Sequence, residues 1–379
     1  MNSLLCVTTV SSTLRAFLLP FAEHFRAKGW RVDAMAQGVS ANSECKQAFD
    51  RVWEIEWSRN PLALSNLLVA PRIIREVMAQ EKYDIVHVHT PVAAFVTRYA
   101  LEGLRKQGKC KVIYTAHGFH FHPGGKPLKN TVFLALEKLA GSWTDYLVVI
   151  NREDESAAKH YHILPLERIR YMPGIGVDID YYSPCGVSAA ELARVRQELG
   201  IERENPLLLS IAEFIPRKHH RDVIKAFAKL NRSEVHLAFA GSGPLIEEMR
   251  LLASNLGVNN QVHFLERRND IPTLIRASVV TILASEQEGL PRSVMESLSL
   301  EIPAIGTKIR GIQELLEGGC GLLVEVGDIG GLAQAMAWVL DHPEDVRAMG
   351  KRGRERIATY DLRHIVKLHE ALYAEAIDQ

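Results

Sequence analysis

The sequence predicts an α/β protein of two doubly wound domains, and three observations carry that prediction. Short apolar, β-rich runs alternate with longer segments of helical spacing along nearly the whole chain. The alternation breaks between residues 173 and 190, where Gly and Pro cluster without either periodicity. With 379 residues, 47% hydrophobic and 24% charged, the chain can build two sizeable cores and is too apolar for disorder.

Taken in order, residues 3 to 9 form the first strand candidate, and Phe17, Phe21 and Phe25 follow at helical spacing toward Lys28-Gly29. Further strand candidates are Val32 to Ala36, Asp84 to His89, Lys111 to Thr115 and Tyr146 to Ile150. Beyond the break a second series runs through Leu207 to Ile211, Val235 to Ala240, Gln261 to Phe264, Val279 to Leu283, Ala304 to Gly306 and Leu322 to Val324. The simplest architecture is two such domains facing each other across a cleft, with ligands at the C-terminal ends of the strands. A final helix is expected over about residues 362 to 376.

Composition narrows the function classes. Net formal charge is zero, so a nucleic-acid role has no compositional support. Five cysteines without a C-x-x-C pair argue against a zinc ribbon or a disulfide framework and fit a reducing cytoplasm. The amino terminus lacks the cationic start of a signal peptide, and no apolar run reaches spanning length. Peripheral membrane association stays open, since an amphipathic helix or a basic patch suffices for it.

The stretch Ser285 to Glu296 reads as strand end, loop and helix start. Unpaired N–H groups at such a helix start suit a phosphate or diphosphate. Two carboxylates accompany that anion site: Glu288 in the loop, suited to a sugar hydroxyl or a developing positive charge, and Glu296 in the first turns, suited to ribose hydroxyls. A plainer alternative exists for each. Ser293-x-x-Glu296 also fits a capping box, and Glu288 also fits a solvated loop acid. Gly241 and Gly243 end a strand before a helix, where glycines let backbone approach a ligand, although a tight structural turn needs the same residues. Neither glycine cluster reads G-x-G-x-x-G, which disfavours a dehydrogenase.

In the first half, histidines crowd two strand ends: His87 and His89, then His117, His120 and His122. They lack a nearby Cys, an H-E-x-x-H pattern and an evident carboxylate partner, so no metal is expected. We expect His87 and His89 on opposite faces of their strand, one of them structural.

Glu288-Gly289, six residues and Glu296, followed by Ser297 to Thr307 and Gly311-Ile312-Gln313-Glu314, resembles the E-x7-E region of the group 1 (family 4) retaining glycosyltransferases of GT-B fold. The resemblance recurs in order along nearly the whole chain. It implies two Rossmann-like domains, an acceptor-side domain over 1–180 and a nucleotide-sugar domain over 181–357, with the helix 358–379 packing back on the first. It also implies a UDP-sugar donor whose diphosphate meets Lys218 and Arg217. The family usually has an Arg at Glu213, so that cation is either missing or supplied by Arg217 or Arg292. The phosphate cradle would use Gly289, Leu290, Arg292 and Ser293, with Pro291 contributing no N–H. The segment Leu265 to Pro272 resembles the one on which the family rests its nucleobase, where Arg267 or Arg268 would stack on the base or bind the diphosphate, and His117 would hydrogen-bond the donor sugar. Ser11, Ser12 and His120 would lie on the acceptor side, although this chain lacks the Gly-rich loop usual after the first strand.

Together with Thr9 to Leu14, Thr115 to His122 and Gly174 to Asp178, these features look most like the bacterial exopolysaccharide and capsule branch. There the acceptor is commonly a polyprenyl-diphosphate-linked saccharide. The implied reaction needs no metal and no cofactor: the diphosphate leaves, and the oxocarbenium-like sugar is stabilised electrostatically on the face the acceptor attacks. A covalent intermediate on Glu288 is the mechanistic alternative. A UDP-sugar 2-epimerase on the same scaffold, or a non-catalytic nucleotide-sugar-binding subunit, are the rival functions.

Overall fold

The computed structural model describes residues 1–58, 63, 65–122 and 124–378. Two compact units result, one of residues 1–175 and 365–379, the other of residues 176–364. The sequence assigns residues 176–180 to the first domain and 358–364 to its returning helix. Both segments fold with the second unit, because backbone bonds close a ring there: Val177 N donates to Tyr360 O at 2.9 Å, and Leu362 N to Val177 O at 3.0 Å.

The first unit holds a seven-stranded parallel sheet. Its strands are β1 (Ser3–Val10), β2 (Arg31–Gln37), β3 (Val52–Glu54), β4 (Ile85–His89), β5 (Lys111–Ala116), β6 (Tyr146–Val149) and β7 (Ile169–Tyr171), in the order β3-β2-β1-β4-β5-β6-β7. Helices cover it, so Val7, Val86, Val88, Val112 and Leu147 are fully buried. Parallel strands enclosed on both faces read as continuous apolar runs, which is why the sequence marks them.

The second unit has six parallel strands: β8 (Leu207–Ile211), β9 (His236–Ala240), β10 (Val262–Phe264), β11 (Val280–Leu283), β12 (Ala304–Thr307) and β13 (Gly321–Val324). Their order is β10-β9-β8-β11-β12-β13. The direction of winding reverses between β1 and β4 in one sheet and between β8 and β11 in the other. At such a reversal two neighbouring strands send their following loops apart, which leaves a crevice at their C-terminal ends.

The last helix, Leu362–Asp378, lays its residues from 365 onward on the first unit. His369 meets the edge of Phe21 with ring centroids 4.9 Å apart, and Tyr373 lies 4.9 Å from Phe25. The Tyr373 hydroxyl is 2.5 Å from His87 Nδ1, and Thr115 Oγ1 is 2.7 Å from His87 Nε2. His87 and His89 stack at 4.2 Å on one face of β4, not on opposite faces. Side chains two apart on a strand share a face, so the sequence-based expectation was wrong on its own geometry.

This packing has a pH consequence. Burial, then the neighbouring imidazoles, hold His87 and His89 well below the usual value; burial brings His117 and His369 down to about 4. As pH falls below about 6.5 the unfolded chain binds protons that the folded chain refuses, so unfolding free energy drops from there toward pH 4. We expect the urea midpoint to decrease steadily between pH 7 and 5, and His89→Gln to make that slope shallower. A flat midpoint over this range would contradict neutral, buried imidazoles.

Candidate functional site

The reversal between β8 and β11 positions the loops 212–219 and 284–291 side by side. Three contacts tie them. Glu286 N donates to Arg217 O at 2.9 Å, His219 Nε2 lies 3.3 Å from a Glu286 carboxylate oxygen, and Lys218 Nζ pairs with the Glu288 carboxylate. Lys218 and Glu288 are 13% and 11% exposed, so each charge is largely withdrawn from water and needs the other. His219 sits at φ +52° and also meets Asp222 at 2.7 Å. Burial alone would lower its pKa, but the hydrogen bonds to Asp222 and Glu286 raise it overall.

Behind Glu288, Arg310 Nε donates to its backbone carbonyl at 3.3 Å. Gly311, at φ +76°, passes so close that a Cβ there would lie 1.9 Å from Gly289 O. The loop bearing Glu288 is therefore held from both sides, by 217–219 and by 310–311.

The helix Arg292–Ser299 starts at the end of that loop, with Pro291 in the capping position and no side chain capping it. Ser293 lies inside the helix, so the capping-box alternative fails. The first N–H groups of a helix have no intrahelical acceptor, and such an end suits an anion. Leu290 is 7% exposed and anchors the loop in the core. Glu296 is buried, 3.1 Å from Arg292 and hydrogen-bonded with Tyr182. Burial raises its pKa above the ordinary carboxylate range despite the opposing pull of Arg292 and Tyr182.

Other expected donor-side residues are placed differently. Gly241 and Gly243 accommodate the chain itself: a Cβ at Gly241 would fall 1.9 Å from Ala212 O, and one at Gly243 would fall 2.6 Å from Phe214 O. Their lack of a side chain lets the turn after β9 pack on the loop after β8. Leu265 N bonds Phe239 O at 2.9 Å, which holds the chain beyond β10 to β9. Arg268 is committed to Glu198 on both carboxylate oxygens and to Asp270, so its charge fastens this loop to the helix Ala189–Glu198. The expected contact of Arg268 with a ligand would have to compete with these two carboxylates. Arg217 is exposed, Arg292 answers Glu296, and Glu213 is exposed where the family's cation was expected.

In the first unit, Ser11 and Ser12 open the short helix Ser11–Phe17 directly after β1. Thr90, at the end of β4 and at φ +65°, hydrogen-bonds Thr9 there. His117 Nε2 lies 3.1 Å from His89 Nδ1, and its ring stacks near Phe17. Its low pKa keeps it neutral, able to hydrogen-bond a hydroxyl but not to act as an acid near pH 7. His120 packs on Phe133 at 5.1 Å. Among the described residues no group of three or more His, Cys, Asp or Glu is arranged to hold a metal ion.

Sequence reasoning missed Tyr182, His219, Arg310 and Thr90. Tyr182 sat in a stretch read only as a hinge. Arg310 fell in the gap between two fragments that carry the resemblance.

Two doubly wound parallel sheets, the second with a lysine and two glutamates at its winding reversal, have the architecture of the GT-B glycosyltransferases. Structural neighbours agree on the fold: the Anabaena protein HepE, solved in complex with UDP, superposes with a TM-score of 0.79 at 20% identity, covering 99% of this chain and 100% of that one. Residues 193–356 match the family described as glycosyl transferases group 1, and residues 16–181 match Glycosyltransferase Family 4. EpsD of Bacillus subtilis (strain 168), provisionally named a glycosyltransferase, is 34% identical over 100% of this chain and 97% of its own length. A UDP-Gal:alpha-D-GlcNAc-diphosphoundecaprenol alpha-1,3-galactosyltransferase of Escherichia coli is 27% identical over 74% of this chain and 72% of that protein. This chain belongs to the group 1 glycosyltransferases.

Gly311→Ala tests the buttress behind Glu288. The positive φ alone costs about 1–2 kcal/mol for an L side chain, and the Cβ must also displace the Gly289 carbonyl. We expect a lower unfolding midpoint together with weakened nucleotide binding; a variant as stable as wild type would show that the two loops do not touch.

Proposed function

We propose that this glycosyltransferase transfers a sugar from a UDP-sugar, with retention and without a metal ion, to a lipid-linked glycan in exopolysaccharide or capsule assembly at the inner face of the cytoplasmic membrane. The observation that carries the reading is the Lys218–Glu288 pair on the loops at the reversal between β8 and β11, the second of which leads into the helix Arg292–Ser299. A diphosphate entering there finds main-chain N–H groups and one ammonium, which stabilise the charge that grows on the leaving oxygen. As Lys218 turns to the phosphates, Glu288 is released to the sugar. Its negative charge then opposes the positive charge developing at the anomeric carbon, or attacks that carbon directly.

Glu296, oriented by Arg292 and Tyr182, is the ribose partner. His117, kept neutral, supplies a hydrogen bond to a sugar hydroxyl and no proton. The lipid-linked acceptor is supported by the Escherichia coli relative, whose name contains a diphosphoundecaprenol acceptor, and the uracil base by that relative and by the HepE complex.

Calorimetric titration with UDP, GDP and ADP, followed by turnover of the corresponding sugars, tests the reading. UDP should bind tightest, and Lys218→Ala should weaken it about 10- to 100-fold, the size of one lost charged hydrogen bond. Preference for GDP would discard the donor assignment. Glu288→Ala and His117→Ala should each remove most transfer, and Glu288→Ala should also lower the unfolding midpoint because it leaves the Lys218 ammonium largely buried without its partner; unchanged turnover in both would remove them from the reaction. Proton NMR of the product should show the donor's anomeric configuration; inversion would exclude the mechanism above.

A further inference from the structure

The helix Pro127–Gly141 of the first unit is amphipathic in the reverse sense of a surface helix. Leu128, Val132, Leu136 and Leu139 recur at one-turn intervals along a single face and are 80%, 49%, 36% and 51% exposed. The inward side carries the carboxylate. Glu137, the only carboxylate in the helix, bonds Arg98 at 3.2 Å and the Tyr114 hydroxyl at 3.2 Å. Arg98 is 1% exposed and stacks on the Tyr114 ring at 4.0 Å. Phe133 and Leu134 pack on the core beside that pair.

A helix whose carboxylate is turned inward and whose leucines face outward has an apolar stripe that water penalises. Lys126, Lys129 and Lys138 border the stripe and are exposed. With Glu137 turned inward, the outer surface of this helix carries positive charge only. Apolar side chains flanked by lysines match a bilayer interface rich in anionic lipid, where leucines enter the acyl boundary and ammonium groups meet headgroup phosphates.

We infer that the helix Pro127–Gly141 is the surface by which this protein docks on an anionic membrane. The inference rests on the lipid-linked acceptor proposed above. A cavity of about 710 Å³ in the first unit is lined by Asn130, Thr131 and Leu134 of the same helix and by Asp154 and Tyr161. An acceptor held in that cavity would lie next to the lipid surface that delivers it.

The test uses the full chain and vesicles of phosphatidylcholine with or without phosphatidylglycerol, in the absence of any sugar donor, so that a failure of transfer chemistry does not affect it. Wild type should cosediment with anionic vesicles and weakly with zwitterionic ones. The combined variant Leu128→Gln, Val132→Gln, Leu136→Gln and Leu139→Gln should lose at least about tenfold in partitioning while its unfolding midpoint stays at or above wild type. Lys126→Glu, Lys129→Glu and Lys138→Glu together should abolish the preference for anionic lipid. Equal pelleting of wild type and the glutamine variant, or no pelleting of wild type, overturns the inference. So does a wild-type dimer that the glutamine variant converts to monomer without changing its vesicle binding, which would make this face an interface between copies. Vesicle binding that persists in a protein with no transferase turnover would retain the docking surface and discard the proposed function.

Discussion

The contact between Lys218 and Glu288 joins the two loops at the strand reversal of the second unit. Each side chain has given up most of its hydration, and separating them without a replacement would leave two largely desolvated charges. The loops that carry them are accordingly held at several points: Arg217 O takes the Glu286 amide, His219 bridges Asp222 and Glu286, and Arg310 holds the Glu288 carbonyl. Gly311 lets the next loop close against Gly289 from behind. On the function proposed above, a diphosphate arriving at this point would meet a preformed frame and exchange one ion pair for another. That exchange is how a buried charge can be both stable at rest and available for chemistry.

The first unit solves a different problem with histidines. Its four clustered imidazoles pack among Tyr373, Thr115, Phe21 and one another, and stay uncharged because burial, and then the neighbouring imidazoles for His87, His89 and His117, penalise the protonated form. They are polar groups that exchange hydrogen bonds, with His89 Nε2 left without a partner. The end of β4 adds strain, since Thr90 holds a left-handed backbone conformation so that its hydroxyl can serve Thr9. Strain and unsatisfied polarity next to the β1/β4 reversal are features of a site rather than of a core.

The strands buried on both faces were legible because their apolar runs are continuous, and so were the glutamates and the helix start between β11 and the helix Arg292–Ser299. β3 and β7 were not: each is a three-residue edge strand, too short to show a period. The spacing of Phe17, Phe21 and Phe25 suggests one helix, whereas the chain breaks at Leu18 and starts again with Pro20 in the first turn. The glycines after β9 were recognisable as close-approach positions, but what approaches them is the chain's own backbone, which no local pattern encodes. Arg268 shows the same limit from the side of charge. Its partners are Glu198, seventy positions away, and Asp270, and only the fold brings the first of them near. Tyr182, at the back of Glu296, is likewise a tertiary neighbour.

The reversed helix Pro127–Gly141 has a practical corollary. Arg98 and Glu137 occupy space beneath it that leucines would ordinarily fill, so its greasy residues stand outside by construction and not through poor packing. Any campaign to improve recombinant yield by replacing surface leucines would begin with Leu128 and Leu139, and the resulting better-behaved preparation would have lost the feature that most distinguishes this face of the molecule. Mild detergent during purification is the safer remedy, because it covers the stripe and leaves the sequence intact.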